Sequence, residues 1–165
     1  MMNDFESPDE SIRRAKLRAM KLLEQRDYTE ARLKLKLKDG GYPDEVVNEA
    51  IEYVKSYGYL DDLRYAGNLV RTSIGVRSKR EVERKLRERG VSSDIIREAF
   101  ELEGGGYDSD SEGELIRKLI LKRCPHPEEL DSRSKSKLFA YMYGKGFSID
   151  RVERILEEVL LDITS

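Results

Sequence analysis

The chain has 165 residues, 38% hydrophobic and 39% charged, with no tryptophan and a net charge of −2. That is too little apolar side chain for a thick central core but enough for thin helical layers, and no apolar run approaches the roughly 18 residues of a membrane span. No signal-peptide pattern opens the chain, and one cysteine, Cys124, excludes an internal disulfide and fits a reducing compartment, so a soluble, cytoplasmic protein is expected.

Charge is unevenly spread. Residues 1–11 carry −4, 12–58 carry +3, 59–102 carry +2 and 103–165 carry −3, a basic middle between two acidic ends. The acidic, proline-containing stretch 1–11 is expected to be disordered. A first repeat, residues 12–58, opens with a helix from about Ile12 to Gln25 that buries Ala15, Ala19, Leu22 and Leu23. In the next segment Leu33, Leu35 and Leu37 alternate with lysines, which alone reads as a strand.

The second repeat, residues 59–103, resolves that ambiguity. Its first helix is expected at Asp61, with Leu60 and Tyr65 placed as a staple and Leu63, Ala66, Leu69, Val70 and Ile74 on one face. Its middle helix opens on the capping box Ser78 to Glu81 and stops at Gly90; Ser92 caps a third helix that buries Ile95, Ile96, Ala99 and Phe100. Sliding the first repeat by 49 positions puts Thr29 on Ser78, Leu33 on Val82, Leu37 on Leu86 and Gly41 on Gly90. The positions kept apolar are four apart, so the lysine-rich segment is a helix and Leu35 is incidental.

A Gly-rich acidic stretch, 104–110 and on to Glu114, reads as a flexible linker. The third repeat, 111–163, opens with a helix from about Ser111 to Arg123 burying Leu115, Ile116, Leu119 and Ile120, followed by a long loop. A slide of 56 positions then puts Ser134 on Ser78, Leu138 on Val82, Met142 on Leu86, Gly146 on Gly90 and Ser148 on Ser92, with Val152, Ile155, Leu156, Val159, Leu160 and Ile163 continuing the last face. The residue after each corner glycine (Tyr42, Val91, Phe147) is apolar, as a Schellman stop requires for contact with Leu37, Leu86 and Met142. The expected fold is all-α: an elongated array of three tandem three-helix repeats, helix-turn-helix-like in their units.

The run Gly58-Tyr59-Leu60-Asp61-Asp62-Leu63-Arg64-Tyr65-Ala66 resembles the hallmark of the RecX family of recombinase regulators. Arg26-Asp27-Tyr28-Thr29 is similar to that family's approach to its first middle helix, and Arg133, Lys137, Gly146 and Phe147 to its third-repeat signature. The likeness covers about residues 12–161; the acidic triple-glycine stretch and the long third-repeat loop depart from it. It implies a non-enzymatic protein that lies in the groove of the RecA recombinase filament on DNA and restrains its growth, ATP hydrolysis and strand exchange. No catalytic residues and no cofactor come with it, and a monomer is expected. The matched run, Gly58, Tyr59, Leu60, Asp61, Asp62, Arg64, Tyr65 and Ala66, is expected to be structural.

Charge within the repeats points to the binding face. Middle helices are basic: Arg32, Lys34, Lys36 and Lys38, then Lys79, Arg80, Arg84, Lys85, Arg87 and Arg89, then Lys135, Lys137 and Lys145. Third helices are acidic, with Asp44, Glu45 and Glu49, then Asp94, Glu98 and Glu101, then Asp150, Glu153 and Glu157 among their residues. Stacked repeats would line the basic helices into a ridge suited to an acidic protein surface or to phosphates; the plainer account is mutual neutralisation. A direct DNA-binding module is the weaker alternative, because the helix that would enter the groove is the acidic one, leaving at most a weak DNA contact.

Other candidates carry less. Asp61-Asp62 point about 100° apart and suit a helix start, not paired acid–base work. Asp108 to Gly113 opens like a calcium loop, but the bidentate twelfth ligand is Leu119, so no metal site is expected. Cys124 and His126 find no further zinc ligands and no third partner for nucleophilic catalysis. Tyr53, Tyr57, Tyr59 and Tyr65 read as packing between repeats in preference to base stacking.

Overall fold

The computed structural model describes residues 7–165, and among these all regular structure is helical. The first triplet is α1 (Pro8–Gln25), α2 (Glu30–Asp39) and α3 (Asp44–Ser56). The second is α4 (Asp62–Ser73), α5 (Lys79–Glu88) and α6 (Ser93–Glu103), and the third α7 (Ser109–Arg123), α8 (Ser132–Gly144) and α9 (Ile149–Thr164). The expected disorder of residues 1–6 lies outside the described residues. The chain falls into two compact units, one running to Asn68 with Leu86–Ala99, the other Leu69–Lys85 with Phe100–Ser165. No helix among the described residues is long and apolar enough to cross a membrane.

Every helix but α3 starts on a Ser, Thr or Asp whose side-chain oxygen accepts from the amide three residues on. Such a cap satisfies one of the amides that a helix start leaves without a partner. Ser7 caps α1 with Pro8 behind it, so the helix begins four residues before Ile12 and residues 8–11 are helical, not disordered. The α8 cap is Asp131, not Ser134, whose amide is the one bonded at 2.7 Å. α8 is thus one turn longer at its start than the slide implies. α7 likewise begins early, at Ser109 behind the Asp108 cap.

The middle helices end as expected. Gly41, Gly90 and Gly146 hold φ of 90°, 79° and 94°, and the amides of Tyr42, Val91 and Phe147 bond the carbonyls of Leu37, Leu86 and Met142 at 3.3, 3.0 and 3.2 Å. Leu33 and Leu37 are buried while Leu35 is 56% exposed, the distribution of a helix and not of a strand. In the third triplet Leu115, Ile116, Ile120, Leu138, Met142, Phe147, Val152 and Leu156 form one cluster, with Ile163 left outside it, half exposed.

The glycine-rich stretch is ordered by one aromatic residue. Tyr107 sets its ring edge-on to Phe100 at 5.4 Å and donates its hydroxyl proton to the carbonyl of Val70 at 3.2 Å. Burial pushes that phenol up to about 12. A Cβ on Gly106 would stand 2.5 Å from Ile74, so the turn lies against α4's end and is not a free linker.

Candidate functional site

The run from Gly58 to Ala66 builds a corner and two caps. Gly58, at φ 71°, ends α3, and Arg64 closes the turn by donating to the carbonyls of Gly58 and Tyr59 at 2.8 and 3.2 Å. Leu60 and Ala66 are buried. Asp61 accepts from the Arg64 amide at 3.0 Å and so caps α4. Asp62 faces elsewhere: its Oδ1 accepts from the amide of Glu30 at 2.8 Å, the first residue of α2. Burial raises its pKa, and the nearby Glu30 charge adds to the shift against that hydrogen bond. Glu30 itself titrates below its ordinary value; burial opposes this, but Lys34 and Lys55, each 3.3 Å away, outweigh it.

Tyr65 is half-buried and its hydroxyl takes a hydrogen bond from Arg89 at 2.6 Å. Tyr53 packs against the apolar cluster of the first triplet, but Tyr57 and Tyr59 do not pack as expected. Tyr57 and Tyr59 are 61% and 49% exposed, and they stack on each other at 5.8 Å beside Tyr53.

The basic side chains divide into two groups. Lys34 pairs with Glu30, Arg89 is held by Tyr65, Lys79 lies 5.0 Å over the Phe100 ring and Lys135 lies 5.5 Å over that of Phe139. Lys85 is half-buried. Arg32, Lys36, Arg80, Arg84, Arg87 and Lys137 are exposed and have no ion-pair or side-chain hydrogen-bond partner among the described residues. Arg80, Arg84 and Arg87 stand four and three apart on α5, which puts them in one stripe.

Neutralisation by the acidic helices is slight. Among the described residues only Lys38 and Asp44, 3.4 Å apart, join a middle-helix cation to a third-helix acid. Asp94 turns to Arg97 and Glu52 to Lys55 within their own helices, and Asp162 pairs with Arg117 of α7. An unpaired stripe of guanidinium groups offers rigid, planar donors for carboxylate or phosphate. Nothing in the sequence separates Arg89 from Arg87; only the fold turns one inward. Among the described residues no group of three or more His, Cys, Asp or Glu is placed to hold a metal.

Comparison with known proteins gives this arrangement a family. The model of the first three-helix domain of RecX matches residues 15–53, and that of the second matches residues 61–99. A regulatory protein RecX of Caldanaerobacter subterraneus is 33% identical over 143 residues, spanning 86% of this chain and 68% of the relative. That of Prosthecochloris aestuarii is 28% identical over 154 residues, 92% of this chain and 97% of its own. Against the Clostridium botulinum relative, 28% identical, the chain spans about two thirds (66%) of the relative's length. A crystal structure of regulatory protein RecX superposes with TM-score 0.77 at 25% identity, covering 90% of this chain and 74% of that one. RecX from Lactobacillus salivarius superposes with TM-score 0.76 at 21% identity, covering 93% and 99%. The chain belongs to the RecX family of regulatory proteins.

Proposed function

We propose that this protein binds the RecA recombinase filament on DNA and restrains its ATP hydrolysis and strand exchange. It does so as a cytoplasmic monomer, without catalysing a reaction of its own. Family membership supplies the partner; the observation that supports a binding face is the unpaired arginine stripe of α5. Exposed charges of this kind steer association and set register more than they add affinity.

The test is a variant with Lys79, Arg80, Arg84 and Arg87 all changed to Glu. Helicity and melting stay as in the wild type, because exposed charges contribute little to folding. Filament binding and inhibition of ATP hydrolysis both fall, by about tenfold or more at low salt and less at high salt. A folded variant that binds and inhibits like the wild type overturns the reading. Loss of binding to bare DNA with filament binding intact transfers it to direct DNA contact.

A further inference from the structure

Two of the helix caps use both ends of their hydroxyl. Thr29 and Ser78 each accept from the amide three residues on, Arg32 at 3.3 Å and Glu81 at 3.1 Å, as any cap does. The hydroxyl proton is still available, and in both cases it goes to a distant middle helix. Thr29 Oγ1 donates to the Arg89 carbonyl at 2.6 Å, and Ser78 Oγ to the Lys145 carbonyl at 2.5 Å. The acceptors occupy one repeat position, the residue before the positive-φ corner glycines Gly90 and Gly146. Those glycines are themselves in the contact. A Cβ on Gly146 would stand 2.6 Å from Ser78 Oγ, and one on Gly90 would collide with Ala31 Cβ. Thr29 and Ser78 are 1% and 2% exposed. The first tie lies wholly within one compact unit, the second within the other.

Two further hydrogen bonds lie beside the first tie. The Glu30 amide runs to Asp62 beside it, and Arg89 donates to the Tyr65 hydroxyl. Among the described residues, the buried cluster of the first triplet extends from Ala15 to Leu60 without α5 or α6, and that of the third triplet without α5. A contact inside a compact unit that is closed by hydrogen bonds and small residues, beside an apolar cluster it does not join, opens more readily than the cluster does. A hydroxyl that releases the distant carbonyl also keeps its own helix cap, so opening leaves the helix start intact.

We propose that Thr29–Arg89 and Ser78–Lys145 are two hinges of one design, each latched by a hydroxyl proton (the first with the Glu30–Asp62 bond beside it), at which neighbouring repeats part while their helices stay folded. This is independent of which partner the protein binds. α8 lacks the device: its cap is Asp131, and an ionised carboxylate has no proton to donate.

Asparagine and aspartate separate the two uses of the hydroxyl, since both are strong caps of one shape and only the amide can donate. Thr29→Asn, Thr29→Asp, Ser78→Asn and Ser78→Asp are made in the full chain with Cys124→Ser. Spin labels at Lys36 and Glu88 report the first hinge, and labels at Arg84 and Ser136 the second; all four sites are exposed. The Asn variants keep the narrow wild-type distance distribution. The Asp variants broaden and lengthen it at their own hinge only, raising the open population about tenfold for the lost net hydrogen bond, with helicity unchanged. Equal distributions for Asn and Asp overturn the proposal. So does an Asp variant that loses helicity, because the tie then belongs to the cooperative fold.

Discussion

The three middle helices share one frame and differ on the side away from it. Facing inward, Leu33, Val82 and Leu138 are equivalent, as are Leu37, Leu86 and Met142, and all six are buried. Facing outward, α5 carries Arg84 and Arg87, where α2 has Leu35 and Lys38 and α8 has Ala140 and Tyr143; Arg80 joins their stripe from a position whose α2 counterpart, Ala31, is pressed against Gly90. The one matching cation of α2, Lys38, is paired with Asp44, and Tyr143 is 64% exposed. Packing constrains the inward positions to one chemistry, while the outward ones are free to diverge. A free arginine stripe at these positions therefore belongs to α5 alone.

The largest test of that contrast lies on the inward side. Leu37→Ala, Leu86→Ala and Met142→Ala should each cost roughly 2–5 kcal/mol in denaturant unfolding, since each empties a buried corner. Leu35→Ala, on the outward side of the same helix as Leu37, should stay within about 0.5 kcal/mol. Comparable losses at Leu35 and Leu37 would break the inward–outward assignment.

Glycines sharpen the comparison within a single corner. Gly146→Ala meets both positive φ and the Ser78 hydroxyl, and about 1–3 kcal/mol of destabilisation is expected. Gly144, two residues earlier and still helical, has nothing within 4 Å of where a Cβ would stand, so Gly144→Ala should stabilise by about 0.4–1 kcal/mol. Thermal melts that move in the same direction for both contradict the corner geometry.

On the outward side, reversing Arg80, Arg84 and Arg87 should weaken filament binding about tenfold at low salt, and reversing Arg32 and Lys36 by less. Equal effects from the two sets would spread the partner surface beyond α5.

The smallest effects concern two aspartates of opposite sign. The Ser134 amide holds Asp131 below its ordinary pKa, so the unfolded chain binds its proton first as pH falls. Its stabilisation is complete above the unfolded value of 3.8 and is lost as pH drops through the lower folded value. Asp62 is raised by burial, so stability instead declines as pH rises from 3.8 through its folded value. Carboxyl NMR titrations should therefore bracket 3.8 from below for Asp131 and from above for Asp62.

The repeat frame, the corner glycines and the buried faces could be read from the sequence, because caps and four-residue spacing are local signals. The Asp131 cap was obscured by the slide itself, which carried the two-repeat pattern onto Ser134. Asp131 is an equally good cap, three residues earlier, after the 3-10 turn Pro127–Glu129. The ordering of residues 104–108 depends on Tyr107 finding Val70, and composition alone pointed to a linker. Arg89, a candidate partner residue, turns inward through Tyr65, 24 positions away. The ties of Thr29 and Ser78 span 60 and 67 positions, beyond any spacing rule.

The bond from the Glu30 amide to Asp62 has a consequence for the order in which the protein takes shape during synthesis. α2 is the helix with the most strand-like sequence, yet a carboxylate 32 residues later satisfies its first amide, and Thr29's hydroxyl awaits Arg89. The first triplet is thus not completed by its own residues and waits for part of the second. A stalled nascent chain exposing only residues up to Gly58 should leave the Glu30 amide open to rapid hydrogen exchange, with protection arriving once Asp62 has emerged.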